Sequence, residues 1–514
     1  MTADSKPRLS VAMIARDAES TIGASLQSVQ SIADEIVVLD TGSTDGTIRV
    51  AEPLATRVIE QPWDNNFSVA RNHCQSQTTG DWVFWLDAGE TLTEQSAAAL
   101  RQWIDSGADS SKAYMVLIQL PATVQGGGIE QVGRVRLIPR RDDLSWQGHV
   151  RESLDESLLA AGISVEGVDF HIDRPVSDHN EQLKAKKAQR DVKLAEVEMK
   201  SSGGSPRLLN LIGESLGALG QYAEARPFFH TAIGQTEKGS TEMLEAYYGL
   251  LTTHDEDADR ETQTAVCLEA LEVFPFDAQL LCAMGSYVQQ QDRFDLAAKA
   301  YQTAVEYGQV DPSTWHLRNV GEVAATCLGL TYQVLDNDTE AQEMLEQSLT
   351  RYPQSGRLRR QLLDLHIKHG RRKEALECVD ILAADSPHLA GLRSAVRGAC
   401  LASQQNWITA LAYLKTAYAT GCRDAICQRW LSVSLIGAGE FQEAQPVIEA
   451  WLQSDPHNVE ARAYLEALAQ NSAAASTESP APSERQIRVD DATPSNPPGT
   501  VAPKHVTESP STTP

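Results

Sequence analysis

Short, continuous apolar runs bounded by turn residues mark the first third of the chain. Leu9 to Ile14 reads as a strand, after which Ile22, Leu26 and Val29 fall at helical spacing. Ile36-Val37-Val38-Leu39-Asp40 is a second such run, broken by the turn chemistry of Thr41-Gly42-Ser43-Thr44-Asp45-Gly46. Arg57–Ile59 predicts a further strand, Phe67–Gln77 a helix, and Trp82-Val83-Phe84-Trp85-Leu86-Asp87 another buried strand. Runs without polar alternation belong to strands covered on both faces, and their alternation with helices predicts a mostly parallel sheet. Ligands of such sheets sit at the carboxyl ends of the strands. Two strands here finish on an aspartate, Asp40 and Asp87, so two acids are expected at adjoining strand tips. Neither GxGxxG nor GxxxxGK(S/T) follows a strand, so the usual dinucleotide and P-loop signatures are missing.

The middle of the chain changes period. From 178 to about 470 it reads as helix after helix, and a small alanine recurs near the start of every second one. The last four of these, Ala341, Ala375, Ala410 and Ala444, are 34, 35 and 34 residues apart. That is the tetratricopeptide spacing, one helix–turn–helix per repeat, with the alanine allowing close helix approach. Pro353, Pro387 and Pro456 fall where second helices should stop. Earlier units around Ala225 and Ala297 are looser, and Thr264–Pro275 reads as degenerate, giving six or seven repeats. Beyond 470, Pro, Ser, Thr and Ala dominate and a disordered tail is expected. The domains expected are thus 1–177 (α/β), 178–205 (connecting helix and linker), 206–470 (helical solenoid) and 471–514 (tail).

Charge narrows the function. Lys and Arg number 44 against 70 Asp and Glu, a net of -26, which argues against a nucleic-acid-coating protein. No apolar run is long enough to span a membrane, and the opening MTADSKPRLS lacks a signal-peptide core. The 8 cysteines show no metal-ligand spacing. A reduced, cytoplasmic chain is expected, at most peripheral at the inner face of a membrane.

Several segments, in order, resemble a family of sugar transferases. Asp34-Glu35-Ile36-Val37-Val38-Leu39-Asp40-Thr41-Gly42-Ser43-Thr44-Asp45-Gly46-Thr47 resembles the DEIVVVDTGSTDGT segment of family 2 inverting glycosyltransferases. Leu9–Glu19 resembles their opening strand and acidic turn, Phe67–Asn72 their FSxARN helix start, and Thr79–Ala88 their TGDWxLWLDA strand. The subgroup resembled includes lipopolysaccharide-core glucosyltransferases and peptide S-glycosyltransferases, and fusion to tetratricopeptide repeats is familiar there. The resemblance implies a GT-A fold, a Rossmann-like mixed sheet, followed by an all-α solenoid. It implies a nucleotide-sugar donor, most often UDP-linked, a divalent metal such as Mn2+ or Mg2+, and a glycan, lipid or protein acceptor. Ala15, Asp17 and Glu19 would line the base pocket, Asp40 would hold the nucleotide, Arg71 would face the base or diphosphate, and Asp87 would open the metal motif. Trp146–Leu154 resembles the acceptor segment, with Glu152 at its acid; Glu152, Arg151 and His149 are therefore the catalytic candidates. His171 stands where a late histidine approaches metal and diphosphate.

Two departures bear on the chemistry. The family's Asp-Ala-Asp-Glu reads Asp87-Ala88-Gly89-Glu90 here, and the usual His before Glu152 is Arg151. A diphosphate 4 Å from a bare carboxylate is repelled by ~1 kcal/mol in water and ~4 kcal/mol at an effective dielectric of 20. Either Asp87, Glu90 and His171 build a metal site, or Arg71 and Arg151 take the cation's place, or the site does not turn over. Arg136, Arg140 and Arg141 read as a solvated basic edge, or else as contacts for an anionic acceptor. The rival function is an interaction scaffold, an inactive transferase-like domain whose repeat groove binds a protein partner.

Overall fold

In the computed structural model, residues 6–120, 128–175, 180–257, 259–384 and 391–475 are described. Two compact units result: Met1–Leu280 with Gln309–Val320, and Leu281–Gly308 with Gly321–Pro514. The sheet's unit thus extends well past 177.

The first unit opens as β1 (Leu9–Ala15), α1 (Ile22–Val29), β2 (Glu35–Asp40), α2 (Thr47–Ala51), β3 (Arg57–Glu60), α3 (Phe67–Ser76) and β4 (Trp82–Trp85). It continues with α4 (Glu94–Asp105), β5 (Lys112–Leu120), β6 (Glu130–Pro139), α5 (Asp155–Ala160) and β7 (Ser164–Asp173). Strand order is β3-β2-β1-β4-β6-β5-β7. The first four strands are mutually parallel, whereas β6 runs antiparallel to β4 and β5, so the sheet is mixed. The apolar runs divide as a two-sided strand must. Val11, Met13, Ile36, Val38 and Phe84 join a core with Leu26 and Leu100 of the helices on one face. Ala12, Val37, Leu39, Val83 and Trp85 join the opposite core with Ala70, Cys74 and Trp146.

Helices then follow. α6 (Glu181–Ser202) leads into the hairpins α7 (Pro206–Ala218)/α8 (Tyr222–Gln235) and α9 (Thr241–Asp257)/α10 (Arg260–Val273). The second unit holds most of α11 (Ala278–Gln289) with α12 (Phe294–Tyr307), and then α13 (Val320–Val334)/α14 (Asp338–Arg351) and α15 (Gly356–Lys368)/α16 (Arg372–Ala384). It ends with α17 (Leu392–Ala402)/α18 (Trp407–Ala419), α19 (Ala425–Gly437)/α20 (Phe441–Ser454) and α21 (Val459–Ala475). The recurrent alanines 225, 297, 341, 375, 410 and 444 each have 0% exposure. Phe229 of α8 shows why neighbours must be small: a methyl on Gly213 would stand 2.7 Å from its ring, and one on Gly249 would overlap it further.

One element escaped the period reading. The connection after α12 forms β8 (His316–Leu317), which pairs with the start of β6. β4 covers only Leu137–Pro139 of β6, leaving the strand's first half with an open edge. The segment 309–317 closes it: Gly133 N–H donates to the Pro312 carbonyl and Gln131 Nε2 bonds His316 Nε2 at 2.8 Å. Helix α21 runs to Ala475, so the tail expected from 471 begins later at the earliest; 476–514, Pro387 and the expected start of the helical region at 178 lie outside the described residues. No helix among the described residues is long and apolar enough to cross a membrane.

Gly249→Ala is expected to destabilise the first unit by ~1–3 kcal/mol through overpacking against Phe229, measured by urea melts. In the second unit burial pushes the Asp364 carboxyl up to about 6, more than Arg429 and Arg360 offset. A raised carboxyl favours its protonated form in the native state, so its contribution is best in acid and is lost as pH rises through about 6. Asp364→Asn should therefore raise the melting temperature at pH 8, by ~2 kcal/mol in stability, and change little at pH 4.

Candidate functional site

The loops after β1 and β2 meet at the carboxyl edge of the sheet. Asp40 is buried there, and its carboxylate is committed locally. Oδ1 accepts from the Gly42 and Ser43 amides (2.9 and 2.8 Å) and Oδ2 from the Ser43 hydroxyl at 2.5 Å. Ser43 spends its hydroxyl on Asp40 and accepts from the Asp17 amide at 2.8 Å. Asp17 in turn accepts from the Thr44 amide at 2.8 Å, and Glu19 from the Gly46 amide at 3.0 Å and Arg49 at 2.7 Å. Ala15 holds the strand ends together by accepting from Thr41 N–H at 2.9 Å. Asp17, Glu19 and Asp40 therefore set the shape of this double loop. Asp40 does not share an adjoining strand tip with Asp87: β1 lies between β2 and β4. The parallel strands bring the two acids to the same edge, one strand apart.

The charged centre lies at the end of β4. Helix α3, capped by Asn66, turns Ala70 and Cys74 into the sheet and places Arg71 and Gln75 one turn apart on a second face. Gln75 and Asn72 clasp the Trp146 segment: Trp146 Nε1 donates to Gln75 at 3.1 Å and its backbone N–H to Asn72 at 2.8 Å. This fixes Trp146 beside Trp85. The guanidinium of Arg71 lies over both rings, 4.9 and 4.8 Å from their centroids. From there it donates to Glu152 Oε1 at 2.5 Å and Asp87 Oδ1 at 2.9 Å.

Arg136 completes the group. It donates to Asp87 Oδ2 and Glu90 Oε1, both at 2.8 Å, while Glu90 Oε2 accepts the Asp87 amide at 3.0 Å. Burial opposes the charge on Asp87, yet Arg136 and then Arg71 outweigh it and hold the carboxyl well below the usual range. For Glu90 burial wins: its carboxyl is pushed up despite Arg136, with Asp87 adding to the rise. Asp87 keeps 38% of its side-chain exposure while both arginines keep under a tenth, so the acid alone faces solvent. Gly89, where the family carries a second aspartate, sits at φ +105, a conformation glycine adopts freely and other residues rarely.

The acceptor-type loop 146–153 packs against the first helices. Gly148 and Arg151 have φ of +95 and +52. His149 donates its amide to Glu198 at 2.7 Å and its carbonyl accepts from the Phe67 amide at 2.9 Å, while its buried Nδ1 has no partner among the described residues. Arg207 bonds Glu198 and donates to the carbonyls of Val150 and Arg151. Arg151 points away from Asp87, pairing with Glu214 and approaching Glu245 at 3.9 Å.

Three expectations change accordingly. Arg151 does not reach Asp87; Arg136 does, and at 6% exposure it is not part of a solvated edge. Arg140, bonded to the Thr78 carbonyl, and Arg141, paired with Asp143, do lie at the surface. The proposed metal ligands do not converge. Asp87 and Glu90 are bound by guanidinium groups, His171 faces Asp173 at 3.6 Å, and no described cluster of three His, Cys, Asp or Glu could hold a metal. The donor set as arranged does not fit a divalent cation.

Residues 10–117 match the family described as "Glycosyl transferase family 2". The chain is 35% identical over 153 residues to "TPR repeat-containing protein Synpcc7942_0270" of Synechococcus elongatus (strain ATCC 33912 / PCC 7942 / FACHB-805), covering 30% of this chain and 37% of the relative. It is 33% identical over 88 residues to "Uncharacterized glycosyltransferase RT0209" of Rickettsia typhi (strain ATCC VR-144 / Wilmington), covering 17% of this chain and 30% of that one. It thus spans about a third of the length of the curated relatives it matches. A solved tetratricopeptide repeat protein from Parabacteroides merdae ATCC 43184 aligns with 51% of this chain and 98% of its own, at 16% identity and a TM-score of 0.38.

Removing Arg136 would leave the buried Glu90 carboxyl and the half-buried Asp87 carboxylate side by side without their shared cation. Arg136→Ala is expected to cost ~3–5 kcal/mol in denaturant melts at pH 7. Glu90→Gln, which removes a carboxyl whose ionisation burial disfavours, should cost clearly less in the same assay.

Proposed function

This chain carries a family 2 glycosyltransferase domain joined to tetratricopeptide repeats, and from that premise we propose that it transfers a sugar with inversion from a nucleotide diphosphate, of which UDP is the first candidate, to a glycan, lipid or protein acceptor. In this reaction the acceptor nucleophile bonds to the anomeric carbon while the bond to the diphosphate breaks. The diphosphate leaves with the electron pair, and the acceptor's proton passes to a carboxylate base. Glu152 is that base in our reading: one of its oxygens is held by Arg71, and no described residue bonds the other. The double loop of Asp17, Glu19 and Asp40 forms the nucleotide side.

The observation that carries the proposal is the bridge made by Arg71. One buried guanidinium joins Asp87, at the donor edge of the sheet, to Glu152, on the acceptor-type loop. It links the strand-end acid and the acceptor-type loop through one side chain. Paired with Arg71 and Arg136, Asp87 no longer repels a diphosphate as a bare carboxylate would.

The same pairing favours a second reading, an inactive domain acting as a protein-binding scaffold, because both acids of the expected metal motif are occupied. The experiment is titration of the full chain with UDP and UDP-sugars, followed by assay of UDP release, with and without Mn2+ and EDTA. Binding and slow UDP release are expected. Glu152→Gln should retain UDP binding and lower turnover by ~10²–10⁴. No heat of binding under any condition removes the donor site, and partner capture without turnover favours the scaffold.

A further inference from the structure

The loop that carries Glu152 is not held by the sheet domain alone. Three helices beyond the expected domain limit contribute, all in the same compact unit. Val150 inserts into a core made by Leu194 and Ala195 of α6 and by Leu208, Leu211 and Ile212 of α7. Glu198 of α6 accepts the His149 amide, and Arg207 of α7 donates to the next two carbonyls, at 2.5 and 3.1 Å. Glu214 of α7 and Glu245 of α9 take up the Arg151 guanidinium. Three consecutive residues, 149–151, are thus fixed from outside, Gly148 before them and Arg151 among them have positive φ, and the next residue is Glu152.

A second attachment reinforces the first. Thr241, at the start of α9, donates to Asp311 at 2.7 Å, and Ser313 of the same segment accepts from Arg134 of β6 at 2.6 Å. Arg134 and Arg136 lie two apart on β6, at the irregularity where its pairing with β5 skips Arg136. The segment that covers the β6 edge is therefore tied at one end to α9 and at the other to the strand that presents Arg136 to Asp87.

We infer that α6, α7 and α9 are part of the transferase site, and that Glu198, Arg207, Glu214 and Glu245 are positioning residues that aim Glu152 through residues 149–151. This rests on the proposed transfer reaction. These hairpins are then not a detachable binding module. The apolar core alone would dock the helices. The polar contacts do something different, because they end on the backbone and on Arg151, the residues that set the direction of Glu152.

The test uses the full chain carrying Glu214→Gln with Glu245→Gln, isosteric changes that keep the packing, and separately Arg207→Met. UDP binding is measured by calorimetry and turnover by UDP release. UDP affinity and one-site stoichiometry should stay within about two-fold of the unaltered chain, because the donor loops are untouched, while kcat per bound site falls by up to about 10²-fold, the scale of a misplaced catalytic group. A merely structural role would lower stoichiometry and turnover in proportion, and that result overturns the inference. So does unchanged kcat in both variants. If the unaltered chain neither binds nor releases UDP, the transfer reaction itself fails, an outcome distinct from either.

Discussion

The arrangement at the end of β4 depends on one buried cation. Arg71 is enclosed by two tryptophan rings and meets a carboxylate at each side. An arginine suits this position for geometric reasons. Its planar fork can lie against aromatic faces and still direct separate N–H groups to two acids, which an ammonium cannot do. The surroundings follow from the need to satisfy it. α3 must supply Arg71 and Gln75 on one face, the Trp146 segment must return to that face, and β4 must deliver Trp85 and Asp87 at its end.

That centre also explains which expectations could be formed from the chain alone. The strands were readable because a two-sided strand is a run of apolar residues, and the runs at Ile36–Leu39 and Trp82–Leu86 have no competing reading. The hairpins were readable because the alanine that permits close packing recurs at a fixed interval, and each one is fully buried. Strand order was not readable. Parallel strands can be arranged in several sequences, and the insertion of β1 between β2 and β4 is what separates Asp40 from Asp87. β8 was invisible because two residues have no period; what places it is the edge that β4 leaves open on β6.

The arginines show the same division more sharply. Arg136, Arg140 and Arg141 form one basic cluster in sequence, yet only Arg136 lies within a strand. Arg136 sits where the pairing of β6 with β5 skips a residue, and neither that skip nor the acids it meets at the end of β4 can be read from the local sequence. Arg151 carried no local signal either. Its partners, Glu214 and Glu245, lie on helices far along the chain, and only the folded unit brings them within reach. A positive residue beside a proposed catalytic acid reads as a phosphate contact until its counter-charges are known.

The charge of the whole chain gives this local pairing its weight. With a net of -26, the protein repels an anionic donor at long range. Salt screens that repulsion beyond ~8 Å at physiological ionic strength, so the decisive interactions are those at contact. There the balance between Arg71, Arg136, Asp87, Glu90 and Glu152 is close. With all five ionised, three acids face two bases; burial works against the charge of Glu90, and losing it would leave two of each. A centre poised near neutrality neither attracts nor repels a diphosphate strongly. In the proposed transfer it would offer orientation: fixed guanidinium groups, already desolvated and already aligned, need little reorganisation when charge develops on a leaving group. In a strongly acidic protein, pre-aligned donors around a neutralised acid are a more economical solution than an excess of positive charge, which the surrounding field would oppose and counter-ions would dilute.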